Sequence, residues 1–105
     1  MSKKEKELVE QYQEKKHFYE VGEIYLVRTV TMTIVGRLVE VGEQELLFKN
    51  ASWIAETGRF NKALIDKEVL SEVEPFPKDK LVIVGRGALI DAVIPEWKSL
   101  PDKVK

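Results

Sequence analysis

Cysteine is absent from the 105 residues and histidine occurs once, at His17. The first absence excludes disulfides, thiolate metal sites and a cysteine nucleophile, and it suits a reducing compartment. The second leaves no histidine cluster to hold a metal. Long apolar runs are missing as well. Nothing approaches the roughly 20 residues of a membrane span, and the opening MSKKEKELVE lacks the apolar stretch of a signal peptide, so the expected location is the cytoplasm, with no membrane partner. Net charge is nearly absent: 17 Lys and Arg stand against 18 Asp and Glu, a formal −1. A polyanion would therefore need a local cluster of cations, because the chain as a whole offers phosphate no attraction.

With 44% apolar and 33% charged residues the chain has the composition of a folded domain, and its length suffices for one core. Residues 1–17 read as a helix: Ser2 can cap it, Glu5 follows three residues later, and Leu8, Val9 and Tyr12 share one side. That apolar stripe is thin, so the helix must dock on something else to persist. After Gly22 the period changes to two. Over 23–51, Val30, Met32 and Ile34 alternate with threonines, and Val35, Arg37 and Val39 alternate with Gly36 and Leu38, which predicts strands. No Gly, Pro or Asn punctuates 24–35, leaving one long bent strand or two joined around Thr29 to Thr31. Gly42-Glu43-Gln44 is a hairpin turn and ELLFKNA the returning strand. Gly36 inside a strand predicts a bend or bulge.

The connector, 52–78, predicts one short helix from the spacing of Phe60, Ala63 and Leu64, and Pro75 and Pro77 close it in extended conformation. Two final strands follow in 80–95, separated by Gly85-Arg86-Gly87. The tail, 96–105, is expected to be loose apart from Trp97. Residues 1–95 thus form a single mainly β domain: an N-terminal helix, five short and strongly bent strands, and a helix in the connector.

No catalytic constellation emerges. The carboxylates are scattered, no pair is fixed at a telling spacing, and His17 lacks a matched acid or nucleophile, so the protein is not read as an enzyme and no cofactor or metal is implied. Gly85-Arg86-Gly87 lacks the longer glycine spacing, lysine and following helix of a phosphate loop. Mixed-sign stretches such as SKKEK read as solvated faces. Trp53 reads as core or interface in preference to a stacking platform. Arg59, after a Thr-Gly turn, reads as a surface partner of Glu56 in preference to an anion reader. Asp91 is either a buried partner of Arg86 or, the preferred reading, the outward residue of an alternating strand.

The stretch VGRLVEVGEQELLFKNA resembles the first motif of the Sm-like proteins, a family that includes eukaryotic Sm and LSm proteins, archaeal Sm proteins and bacterial Hfq. The match rests on Gly36, Leu38, Leu46, Phe48 and Ala51. VIVGRGALIDAVIP is similar to the second motif at Arg86, Gly87, Ile90 and Val93, and the wording of the connector resembles phage-encoded members. The resemblance implies a small SH3-like barrel whose fourth strand pairs with the fifth strand of the next copy, closing a ring of roughly five to seven subunits. It also implies, as an alternative role, binding of uridine-rich single-stranded RNA, with Arg86 in the position of the base-holding arginine. Against that role, Glu45 falls where the family has an asparagine, and no aromatic residue lies in the Gly42 to Glu45 turn. The favoured expectation is therefore a self-assembling interaction module, with Arg86, Gly87, Glu45, Arg59 and Trp53 as the residues of its interface or RNA contact.

Overall fold

A computed structural model describes all 105 residues. Helix α1 spans Lys3–Lys15; the Ser2 hydroxyl caps it by accepting from the Glu5 N–H at 3.1 Å, and Lys16 ends it in the left-handed region at φ 64°. None of its residues is buried. It is tied down from the side, by the Lys4–Glu20 ion pair and by the Gln11 amide, which donates to the carbonyls of His17 (3.2 Å) and Tyr19 (2.6 Å).

Strands β1 (Ile24–Thr29) and β2 (Thr33–Val41) are antiparallel, so the region the sequence left open contains two strands. Threonine does the work expected of glycine or asparagine at their turn: the Thr29 N–H and hydroxyl donate to the Met32 carbonyl, and the Met32 N–H returns a bond to the hydroxyl. The next turn lies at Gly42, as expected, with the Gly42 N–H donating to the Glu45 carbonyl at 2.7 Å. Strand β3 (Glu45–Glu56) is long and kinked at Asn50, whose φ is 51°. Opposite the kink the register of β2 slips between Val35 and Arg37, and a Cβ on Gly36 would stand 3.1 Å from the Cβ atoms of Ala51 and Phe48. Gly36 therefore allows the two strands to close over the bulge.

The connector holds more structure than its sequence predicts. Helix α2 (Phe60–Ile65) is the expected one, followed by a single 3₁₀ turn at Lys67–Val69. A further strand, β4 (Glu72–Pro75), then pairs with the second half of β3. Four residues are too few to display a period, and a proline at the end of a strand costs the ladder little. The last two strands are β5 (Val82–Gly85) and β6 (Leu89–Val93), joined by a 3₁₀ turn at Arg86–Ala88.

The six strands form one antiparallel sheet ordered β4-β3-β2-β1-β6, with β5 against the first half of β3. The sheet is open: β5 and β6 are linked by the turn between them, and no ladder joins them. The closed five-stranded barrel expected from the sequence is thus observed as a bent, six-stranded open sheet. Strand β1, whose IYLV run has no polar face, is buried on both sides. Tyr25 and Val27 join Ile34, Leu38, Leu46, Phe48 and Val84 in one core, while Ile24 and Leu26 join Val35, Ile54, Ala63, Leu70, Val73 and Trp97 in the other. Each fully buried Leu or Phe among them contributes about 1.5–3 kcal/mol.

The tail is ordered along this second core, contrary to expectation. The Trp97 indole N–H donates to the Ala63 carbonyl at 2.7 Å, the Glu96 N–H to the Leu64 carbonyl at 2.7 Å, and Lys105 exchanges two backbone bonds with Val73 at 2.9 and 3.2 Å. Trp97 anchors it because a buried indole supplies both apolar area and a satisfied donor. No helix is long and apolar enough to cross a membrane.

Candidate functional site

Arg86 is the first residue of the turn between β5 and β6, and the structure shows what its side chain holds there. The Arg86 N–H donates to the Gln44 carbonyl at 2.8 Å, and its Nη1 donates to the carbonyls of Gly42 (2.8 Å) and Glu43 (3.1 Å). The side chain thereby fastens the β2–β3 turn of its own chain. Neither glycine has a positive φ, and a Cβ on either would meet nothing within 4 Å. The flanking glycines are accordingly not demanded by backbone conformation or space; what fixes the arginine is the ring of carbonyls it caps. Gly87 is exposed, and Glu45 is an exposed residue at the start of β3, paired in the ladder with Gly85.

On its other side the Arg86 guanidinium lies 5.7 Å from the centroid of the Tyr19 ring. Tyr19 packs edge-on against Tyr25 at 5.6 Å, and His17 lies 6.0 Å from Tyr19. Tyr12 and Phe18 stack at 4.8 Å with 24° between their planes. These residues line a groove of ≈ 630 Å³ between α1, the segment after it and the end of β6, with Lys4, Lys16, Arg86 and a single acid, Glu20, at its walls. The His17 Nδ1 accepts from the Tyr19 N–H at 3.1 Å, and burial, then the charges of Arg86 and Lys15, push its pKa below 6.5. The neutral ring therefore carries its proton on Nε2, as a donor. The Tyr25 hydroxyl accepts from the Glu20 N–H at 2.9 Å, and burial raises its pKa.

Sequence reasoning missed this groove. Its signal was the interleaving of bases and aromatics in KKHFY directly after the helix, a pattern that the alternating charges upstream made resemble a solvated face. The remaining predicted residues are not brought together with Arg86. Trp53 is 40% exposed on β3, so it is not core. With Met32 it borders shallow clefts beside the β1–β2 turn and the Glu74 to Pro77 segment. Arg59 is exposed at the start of α2 without an ion pair; Glu56, its expected partner, accepts instead from the Gly58 N–H at 3.2 Å. Asp91 is the outward residue expected, and its partner is Arg28, directly opposite on β1, through Nε to Oδ1 at 2.9 Å and a second bond from Nη2. That pairing holds the Asp91 carboxyl below its usual range and raises the Arg28 pKa. No group of three or more His, Asp or Glu is placed to hold a metal ion.

A second feature is the condition of the sheet edges. The outer sides of β5 and β6 have no strand against them, and they carry Ile83 (64% exposed) and Ile90 (63%), with Leu81 (60%) just before β5. Comparison of the chain with protein-family models, with curated proteins and with solved structures returns no match.

Proposed function

We propose that the protein is a self-assembling module of Sm-like type, in which β5 of one copy pairs with β6 of the next. The carrying observation is the pair of bare, isoleucine-bearing edges on strands adjacent in the chain. An exposed apolar edge is a liability in a monomer and is relieved when another strand covers it. Because the two edges belong to different strands, their pairing is head-to-tail, and a head-to-tail contact closes into a ring when its rotation allows. The order of pairing, β6-β1-β2-β3-β5 with a tight turn between β5 and β6, supports the resemblance behind this reading, β4 being an addition within the connector. Under it the protein is an interaction module and no reaction is assigned.

The alternative, uridine-rich RNA held at the Gly42 to Glu45 turn, is less well supported. There Arg86 already spends Nη1 on two carbonyls, and Glu43 and Glu45 oppose phosphate.

Light scattering or native mass spectrometry tests the assembly. The expected result is one closed species of roughly five to seven copies, lost in Ile83→Lys and Ile90→Lys while the folded spectrum of each variant is retained. A wild-type monomer at micromolar concentration would overturn the reading.

A further inference from the structure

We propose that the groove between α1, residues 17–20 and the end of β6 binds a mononucleotide, a planar heterocycle bearing one phosphate. Nothing in the assembly reading requires such a ligand, and the site lies on the opposite side of the Arg86 guanidinium from the acidic turn, whose Glu43 and Glu45 do not line it.

Four observations set the ligand class. The groove's ≈ 630 Å³ falls within the about 300–1,000 Å³ of small-molecule sites, ample for a nucleotide and wasteful for a bare anion. Its walls are aromatic: the Tyr12–Phe18 stack forms one face, and the Tyr19–Tyr25 pair another. Tyr12 (42%) and Phe18 (53%) are exposed and offer a flat surface to a heterocycle, while the half-buried Tyr19 packs against the buried Tyr25. Its charge is positive, since Glu20 is taken by Lys4, and Lys16 and Arg86 have no carboxylate partner. In a chain whose formal charge is −1, two cations that face one cavity without a carboxylate partner are a local departure suited to a phosphate, although Arg86 has given Nη1 to the Gly42 and Glu43 carbonyls and offers the cavity only its remaining donors. Finally, two neutral side chains of the lining have a hydrogen to donate. His17 presents Nε2–H, and the Tyr25 hydroxyl, already accepting from Glu20, has its own hydrogen to give. A neutral aromatic molecule would leave the cations unused, and inorganic phosphate would leave the rings unused.

The experiment titrates adenosine monophosphate, adenosine, inorganic phosphate and a short oligouridylate into the full-length protein, following the aromatic resonances of Tyr12, Phe18 and Tyr19 by NMR. Adenosine monophosphate is expected to bind saturably, tighter than about 1 mM, with adenosine and phosphate each weaker by about tenfold or more. Lys16→Ala and Phe18→Ala, both at exposed positions, are expected to weaken it by about three- to tenfold without moving the melting midpoint. No saturable shift at millimolar nucleotide would overturn the proposal. So would equal binding of adenosine and its phosphate, or binding of the oligouridylate alone, which would make a nucleic-acid strand the ligand.

Discussion

The sheet has two kinds of edge. Strand β4 carries Glu72 and Glu74 on its exposed positions, and its backbone is met by Lys105, which exchanges two bonds with Val73. Beneath it Ala63 of α2, Leu70 and Trp97 join Ile24, Leu26, Val35 and Ile54 of the sheet in the second core. Strands β5 and β6, by contrast, each pair on one side alone and expose Ile83 and Ile90. Acid side chains and a docked tail are ways of stopping a sheet from growing; at the opposite edges no tail docks, and the one acid, Asp91 on β6, is paired with Arg28. The chain thus covers one edge of its sheet and leaves the outer sides of β5 and β6 without a strand against them.

The covered region breaks most severely at its anchor. Trp97→Ala is expected to cost about 3–5 kcal/mol and to free the tail, read as a lower urea midpoint with rapid amide exchange at Lys105. A cost under about 1 kcal/mol would mean that the tail is ornamental to the second core. Gly58→Ala strains the same region at its entry. Gly58 sits at φ 71°, and an added Cβ would approach the Val69 carbonyl oxygen to 2.9 Å, so a loss of about 1–3 kcal/mol is expected by thermal melting.

At the bare edges the outcome reverses. Ile83→Lys should change the stability of the isolated subunit by no more than about 0.5 kcal/mol while abolishing self-association, because the side chain is already in water until a neighbour covers it. A destabilised monomer would show that Ile83 belongs to the core instead. The smallest effect concerns pH. The His17 pKa is lowered in the folded protein by burial and by Arg86 and Lys15, so protons bind more readily to the unfolded chain. Stability should therefore fall slightly as pH drops through about 6.5, and His17→Gln should remove that slope in urea titrations at several pH values.

The helix cap, the Gly42 turn and the Gly36 bulge were legible because each rests on local chemistry: a serine hydroxyl three residues from a free N–H, a short turn between alternating strands, a missing side chain where two strands converge. Strand β4 was not legible, since Glu72 to Pro75 becomes a strand through its partner on β3 and has little signal of its own. Arg59 was assigned to Glu56 from proximity in sequence, yet the Glu56 carboxylate turns to the Gly58 N–H. The groove escaped for the same reason: Arg86 and Tyr19 are 67 positions apart in the chain, and only folding sets one beside the other.

By itself the sequence determined the periodicities that make this a helix followed by a bent antiparallel sheet, and its lack of cysteine and of a second histidine excluded disulfides, thiolate sites and metal sites built on a cluster of histidines. Tertiary structure decided that the connector and tail fold into a second core, that Arg86 fastens a turn of its own chain, and that its other face meets a wall of aromatic rings. The reason is physical. Backbone periodicity and capping are settled by neighbours a few residues away, whereas burial, guanidinium partners and aromatic clusters depend on which distant surfaces the sheet brings together.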